Sequence, residues 1–565
     1  METPLAASTH PVGFEVVRSV YCLADDKKSD LLVIKGNDWK EDGTIVPTLR
    51  FIENYKRPFY VTKPGLRKHN DLREWEHKDN LIRYTCPQHE LPFRIARALG
   101  KHSGTDYRML ADSPYLYGSD VSTPTLLKYQ TQKKYPECKS PLRTVATLDI
   151  EATPDERREV LIVTVFYQDK SYLWINQDWA GNDPFFVQKV HEEWQKRLGP
   201  MLKRPCELII NMVPNAAACV VKAVERLHSL MPDFVSIWNM DYDIPTMMAE
   251  LDRAGYDKAD VMSDPKVPQK YRTFKYIKGK GVKVKAGKEH PIHPADQWHK
   301  PIFPATWFPV DSMGVYRTIR LASGMEPDYT LDGVLGRQLG LAKLKMEGTE
   351  HLDGLRWHLH MQSKEKIVYC AYASWDGISL AYLEEKTQDL AVSFPILCDN
   401  SEFETFKSNP NKIIDDMHLY VDERGYVMGT RPRQVEDEFD KYVCTLDGWI
   451  VTLPAYQMAN KGFKCIAELP EWPTRIFIQN GDIDITTTYP KVEEEMNLSK
   501  GTTYSELSSI EGFNHEKRAK FGINAIAGEV NAIETCMVGF DLPSPDQWVD
   551  MFELDMLNGK VSLWE

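Results

Sequence analysis

The sequence lacks any Cys-x-x-Cys pair, although it holds 10 cysteines. They are scattered, which argues against both a disulfide framework and a zinc ribbon and fits a reducing compartment. Cys86 and His89 form an isolated Cys-x-x-His fragment with no second half. No apolar run approaches the ~18–20 residues of a membrane span, and no membrane partner is expected. The first residues, METPLAASTHPVGFE, have no basic stretch followed by an apolar one, so no secretory leader is expected. An excess of positive charge is also missing. The net charge is −13, so any contact with nucleic acid has to come from a local basic patch.

What is present is the composition of a globular protein, 42% hydrophobic and 27% charged over 565 residues. That length suits three or four domains at ~100–200 residues each. The stretch 144–152, TVATLDIEA, draws attention first. Val145, Ala146, Leu148 and Ile150 make it strand-like, and Asp149 and Glu151 interrupt the apolar run. Residues i and i+2 of a strand share a face, so the two carboxylates stand side by side. A divalent cation would remove their repulsion. An exposed strand end would carry the same residues without one.

Before this point, residues 1–110 hold short strand-like segments, Leu31–Lys35 and Phe59–Val61, and a charged run from Asp71 to Gly100 that reads as helical. The polar, proline-punctuated stretch from Ser113 to Pro141 reads as a domain boundary. After Glu151, two β-rich runs, Val160–Tyr167 and Ser171–Asn176, predict an antiparallel meander. A helix over Asp183–Leu198, a strand over Glu207–Met212, a helix over Ala216–Leu230 and a strand over Phe234–Trp238 follow. The chain then reads Asn239-Met-Asp-Tyr-Asp243-Ile-Pro245. A helix over 246–254, with Pro245 in its first turn, would make Asp243 a cap, or a metal ligand at a strand end.

From Lys266 to Lys288 there is no acidic residue. Lys270, Arg272, Lys275, Lys278, Lys280, Lys283, Lys285 and Lys288 partly alternate with aromatic and aliphatic residues, around Gly279 and Gly281. This predicts a hairpin with one basic face, suited to nucleic acid. His290, His293 and His299 beyond it read as surface loop residues. Further on, Tyr372 and Asp376 are i and i+4 on a helical face. Asp149/Glu151, Asp243 and Asp376 thus supply four acids. If they converge, they suit two divalent ions ~3.5–4 Å apart acting on a phosphodiester.

These residues resemble the proofreading 3′–5′ exonuclease domain of family B DNA polymerases, particularly those of large tailed bacteriophages. Asp149-Ile-Glu151 is similar to the first exonuclease motif, Asn239 with Tyr242-Asp243 to the second, and Tyr372-x-x-x-Asp376 to the third. Asp241 is not the residue the second motif selects. Tyr55-Lys-Arg-Pro-Phe-Tyr and Ser113-Pro-Tyr resemble the N-terminal domain of these enzymes, and Asp447-Gly-Trp-Ile-Val-Thr-Leu-Pro454 their connector to the palm. Asp482-Ile-Asp484-Ile-Thr-Thr-Thr-Tyr489-Pro490 is similar to polymerase motif A. Lys520-Phe-Gly-Ile-Asn524-Ala-Ile-Ala-Gly528 keeps only the Lys, Asn and Gly spacing of motif B. Alanines 525 and 527 stand where Ser and Tyr are usual, and motif C is missing, Glu553-Leu-Asp555 being a poor substitute.

The resemblance implies an α/β fold, with a ribonuclease H-like (DnaQ-like) exonuclease domain built on a mixed sheet over 141–390. A mixed α+β N-terminal domain and linker would occupy 1–140, a connector 391–470 and a partial palm 471–565. It implies a metal-dependent 3′–5′ exodeoxyribonuclease forming part of a DNA-directed DNA polymerase, with Mg²⁺ or Mn²⁺ as cofactor, two ions in the exonuclease site. Asp149, Glu151, Asp243 and Asp376 would bind metal, and Tyr372 would align water. Asp484 would be the first palm carboxylate. Tyr489 and Lys520 would contact the nucleotide, and Asn239, Lys275, Lys278, Lys280, Lys283 and Lys285 the DNA. The implied partners are single-stranded 3′ ends and primer-template DNA, a second chain carrying the rest of the palm, the fingers and the thumb, and a sliding clamp. The implied setting is the cytoplasm of an infected bacterium. The alternative is a stand-alone exonuclease or a DNA-binding replisome scaffold with a degenerate palm.

Overall fold

The strand bearing Asp149 and Glu151 is an interior member of a mixed six-stranded sheet. In the computed structural model the described residues are 11–430, apart from 71, 286, 287, 345, 347, 350 and 353, together with the backbone of 465–469, 474–477, 503–509, 517–526 and 530–531. The sheet order is Glu207–Val213, Lys170–Asn176, Val160–Tyr167, Val145–Ala152, Phe234–Ile237, Phe308–Asp311. Val145–Ala152 and Val160–Tyr167 pair antiparallel, as do Val160–Tyr167 and Lys170–Asn176, which is the expected meander. Phe234–Ile237 runs parallel to both Val145–Ala152 and Phe308–Asp311. The protein is therefore α/β.

Both faces of the sheet are covered, which explains why Val160–Tyr167 is apolar without alternation and buried throughout. On one face Leu148 and Ile150 pack with Val220, Val224 and Leu227 of the helix Ala216–Leu230, and with Ile244, Met247 and Leu251 of the helix Met240–Arg253. On the other face Ile162, Phe166 and Leu173 meet the helices Phe186–Leu198 and Lys366–Thr387.

The helix Lys366–Thr387 is buried on nearly every side from Val368 to Leu383. Small residues let it lie close to the sheet. Thr147 Oγ1 donates to the Gly377 carbonyl (2.8 Å), and Ser374 Oγ meets Ser171 Oγ (2.7 Å) and accepts from Trp194 Nε1 (2.8 Å). These buried polar contacts set the register of helix over strand, because slippage would leave each group unpaired.

In the N-terminal region, the three-stranded antiparallel sheet Gly13–Leu23, Asp30–Trp39, Ile45–Glu53 contains the expected Leu31–Lys35 segment. A second sheet is ordered Leu81–Cys86, Arg57–Thr62, Leu116–Tyr117. The run 71–100 is not one helix. It forms the strands Trp75–His77 and Leu81–Cys86, and only Leu91–Leu99 is α-helical. In Leu81–Cys86 the exposed Arg83 and Thr85 alternate with inward-facing neighbours, so its charge lies on one face of a strand. Nor is 113–141 a bare linker. Ser122 caps a helix over Thr123–Lys134, whose Leu127 packs with Phe14, Val16 and Ile34. Lys35, itself buried, reaches from this region to the Met231 carbonyl (2.8 Å) and to Asp233 (3.4 Å) beside the central sheet.

The chain divides into two compact units, Met1–Arg433 and Gln434–Glu565. In the second, Cys465–Leu469 pairs antiparallel with Thr474–Phe477, and Thr503–Ser509, Lys517–Ile526 and Val530–Asn531 form an antiparallel sheet. Among the described residues no helix is long and apolar enough to cross a membrane.

Trp375 is fully buried in the helix Lys366–Thr387, and its Nε1 donates to the Ala342 carbonyl (2.9 Å). Trp375→Ala is expected to lower stability by roughly 3–5 kcal/mol, from weaker packing and the cavity left behind. Trp375→Phe, which keeps most of the ring, is expected to cost about 1–2 kcal/mol. Urea unfolding of both variants checks the ranking.

Candidate metal centre

Three chain segments deliver the acids. Asp149 and Glu151 share the face of the strand Val145–Ala152 that lies under the helix Lys366–Thr387. Along this face Thr147, Asp149 and Glu151 meet Gly377, Asp376 and Tyr369 in turn. Carboxylate oxygens of Asp149, Glu151 and Asp376 lie within 4.8 Å of one another. Asp243 comes from the opposite side of the sheet. Its helix starts at Met240, directly after the strand Phe234–Ile237, with the backbone carbonyl of Asn239 accepting from the Tyr242 and Asp243 N–H groups (2.9 and 3.0 Å). Asp243 therefore stands inside the first turn rather than capping a helix that begins at 246, and Pro245 lies within the helix. The unpaired N–H groups of that first turn favour a carboxylate there.

Glu151, Asp243 and Asp376 are buried, whereas Asp149 is half-buried and gives the centre its opening to solvent. Burial, and then the Asp376 charge, push the Asp149 carboxyl up to about 7. Glu151 is pushed well above the usual carboxylate range by burial and by Asp149 and Asp376. Asp243 is raised likewise, by burial and then by the charges of Asp149 and Glu151, which puts it electrostatically in the same group. Buried Asp243 Oδ2 and Asp376 Oδ1 have no hydrogen-bond donor among the described residues. Buried, unpartnered carboxylate oxygens are costly. An all-oxygen donor set of this kind fits a hard divalent cation such as Mg²⁺ or Mn²⁺. Asp149, Glu151 and Asp376 could hold such an ion.

Among the described residues a cation, Lys343, reaches the centre, and the sequence offered no sign of it. Lys343 Nζ donates to Asp376 Oδ2 (2.6 Å) and to the Tyr372 hydroxyl (3.0 Å). Burial works against its charge, but Asp376 and Asp149 outweigh burial and raise its pKa, so it stays an ammonium. Tyr372 is kept a neutral phenol by burial and by the Asp376 charge. Tyr369 was also missed, although its place three residues before Tyr372 puts it on the same helical face. Its ring stacks on Tyr372 (5.6 Å between centroids, 5° between planes), and its hydroxyl donates to Glu151 Oε2.

Asp241 turns away from the acids, towards Lys278 (3.0 Å) and His299 (3.6 Å). His299 is buried rather than on the surface. Its Nδ1 lies 2.9 Å from the Tyr276 hydroxyl and accepts from the Gly279 N–H (3.2 Å). The basic segment is not one hairpin centred on Gly279 and Gly281. Lys275–Ile277 pairs with Lys300–Ile302, and Val282–Lys285 pairs with Lys288–Pro291. Gly279 is needed for close approach instead, since a Cβ there would lie 2.8 Å from the Trp298 nitrogen. Lys275, Lys278, Lys280 and Lys283 are exposed, as is Asn239. The Lys285 side chain, Asp484 and Tyr489 lie outside the described residues. Lys520 falls in the strand Lys517–Ile526, with its side chain likewise outside them.

No protein-family model matches the sequence, and no curated protein matches it either.

The raised carboxyl of Asp149 sets a pH dependence. It binds its proton more tightly in the folded chain than in the unfolded one, where the ordinary value is 3.8. Its contribution to stability is therefore full below that value and is lost as pH rises from about 4 to about 7. With metal chelated, wild-type stability is expected to fall across this window. Asp149→Asn is expected to fall less and to be the more stable at pH 8, by about 2 kcal/mol. Mn²⁺ is expected to raise the wild-type midpoint at pH 8 and to leave that of Asp149→Asn nearly unchanged. Denaturant melts at pH 4, 6 and 8, with EDTA or Mn²⁺, measure all three.

Proposed function

We propose that the protein is a metal-dependent 3′–5′ exodeoxyribonuclease, the proofreading portion of a family B DNA polymerase, and that its central sheet is that of a ribonuclease H-like exonuclease domain. The observation that carries this reading is the meeting of Asp149, Glu151 and Asp376 within 4.8 Å, with Asp243 electrostatically coupled to them. In the sequence the four acids are similar to the three exonuclease motifs in kind and order.

In this reading Asp149, Glu151, Asp243 and Asp376 hold two Mg²⁺ or Mn²⁺ ions. Bound there, the ions supply activation of water and neutralisation of charge on the phosphodiester. The chain's own groups do the rest. The Tyr372 oxygen accepts from the Lys343 ammonium and its hydroxyl also bonds Asp376, which would hold the phenol beside the acids, where a water molecule or a phosphate oxygen would bind. The Lys343 ammonium offsets part of the acids' charge, which favours approach of an anionic strand. The half-buried Asp149 marks the side from which a 3′ end enters.

The ladder of Val282–Lys285 and Lys288–Pro291 presents Lys283 to solvent, and Lys280 precedes it. We assign these lysines to the DNA backbone near the primer end. The polymerase part of the proposal rests on the motif A resemblance of Asp484 and Tyr489, with a partner chain supplying the second palm carboxylate.

Purified protein is expected to shorten 3′-ended single-stranded DNA in the presence of Mg²⁺ or Mn²⁺. Asp149→Ala, Asp243→Ala or Asp376→Ala is expected to reduce this to background, and Tyr372→Phe by roughly 10²-fold. Undiminished digestion by the Asp149→Ala/Glu151→Ala double variant would overturn the assignment. A Lys280→Ser/Lys283→Ser variant is expected to bind DNA more weakly, with a salt slope shallower by about 0.7 for each phosphate it no longer neutralises. Digestion of paired ends is expected to suffer more than digestion of single strands. Primer extension by this chain alone is expected to be absent.

A further inference from the structure

Glu151 is buried, yet one of its oxygens has a dedicated partner. The Tyr369 hydroxyl contacts Oε2. That hydroxyl is itself gripped from behind. Gln362 Nε2 lies 3.1 Å from it and His358 Nδ1 2.9 Å. The same Gln362 nitrogen donates to the Ala152 carbonyl (2.9 Å), at the end of the strand that bears Glu151. Trp179 Nε1 donates to the Gln362 backbone carbonyl (3.0 Å), which pins that turn of the helix Gly354–Lys364.

Counting protons fixes the polarity of this chain of contacts. A phenol has one proton to donate, an ionised carboxylate only accepts, and an amide nitrogen only donates. With Glu151 ionised, the tyrosine proton goes to Oε2 and the phenolic oxygen receives a hydrogen from Gln362. His358 must then be the tautomer that carries its hydrogen on Nδ1, and it also donates. Each member has one consistent role, and the arrangement engages one Glu151 oxygen, Oε2. The other is left for a ligand. Tyr369 is further held by its ring stacked on Tyr372, so its position does not depend on the acids.

We infer that Tyr369, backed by Gln362 and His358, is a positioning residue that holds Glu151 in the orientation in which it binds a divalent cation. The inference rests on the metal-dependent reading above and adds to it three side chains, none of which touches the metal or the DNA. Outer partners of this kind orient the ligand and typically change metal affinity by ~10–100-fold when removed.

The test is Mn²⁺ binding by the full chain, followed by electron paramagnetic resonance of the free ion, with digestion of single-stranded DNA as the second readout. Tyr369→Phe is expected to weaken Mn²⁺ binding by about 10-fold. Its digestion rate is expected to return to within about threefold of wild type at saturating Mn²⁺, because the ligands themselves remain. Gln362→Leu is expected to shift binding in the same direction by a smaller factor, and it carries the test if Tyr369→Phe fails to fold. In a Glu151→Gln background, Tyr369→Phe is expected to weaken binding no further, since there is then no carboxylate for the hydroxyl to orient. A purely structural role would lower the melting temperature of the metal-free protein and leave the Mn²⁺ constant where it was. An unchanged Mn²⁺ constant in Tyr369→Phe, beside a wild type that binds Mn²⁺ and digests DNA, overturns the role of Tyr369 alone. A wild type that binds no Mn²⁺ overturns both readings.

Discussion

Asp149, Glu151 and Asp376 bring carboxylate oxygens within 4.8 Å of one another, Asp243 is coupled to them electrostatically, and at neutral pH the four cannot all be ionised without a compensating charge. Like charges a few ångströms apart interact strongly where water is excluded, and burial alone already favours the neutral form. Among the described residues the ammonium bonded to the acids is Lys343, which donates to Asp376 and Tyr372. One positive charge does not balance four negative ones. Burial first, and then the neighbouring negative charges, raise Asp149, Glu151 and Asp243. The fold keeps the acids together in spite of it. The helix Lys366–Thr387 is locked to the sheet by the Thr147–Gly377 and Ser171–Ser374 contacts, which do not depend on the charge state of the acids.

The same helix start serves two purposes. Asp243 is coupled electrostatically to Asp149 and Glu151, while Asp241, two residues earlier, holds Lys278 and lies beside His299. Successive residues of a helix point about 100° apart, so two positions i and i+2 face opposite sides. The basic segment is thereby tied at its base to the element that carries a candidate metal ligand. Tyr276 stacked on His299, and the close approach of Gly279 to Trp298, complete that anchor. Beyond it, Val282–Lys285 pairs among the described residues with Lys288–Pro291, and Val282, Lys283, Val284 and Lys288–Pro291 are exposed. A charged arm on a fixed base is the geometry on which the proposed contact with a polyanion rests.

Much of the central sheet was legible from residue order. The meander, the helix Ala216–Leu230 and the strand Phe234–Ile237 each announce themselves through apolar runs of the right length and period. The acids were legible for the same local reason. Asp149 and Glu151 share strand parity, and Tyr372 and Asp376 share a helical face. Errors arose where a charged surface masked the period, as in 71–100, and where glycines suggested a turn that tertiary packing uses for close approach, as at Gly279. Asp243 reads from the sequence as a cap or a metal ligand because Pro245 favours a first turn, but the helix starts at Met240, six residues before the expected 246.

By itself, then, the sequence determined which residues lie on a common face of each strand and helix, since those periods depend only on backbone geometry. It thereby determined the pairing of Asp149 with Glu151 and of Tyr372 with Asp376. Only the tertiary structure decided that these pairs meet, that Lys343 arrives from a different segment to join them, and that Tyr369, Gln362 and His358 form a line of hydrogen bonds ending on Glu151. The physical reason is that a contact between distant segments is decided by the packing of whole elements against one another. No local period records that packing. The side chains that complete a buried polar site are chosen by which donors happen to face it once the sheet and its covering helices have closed.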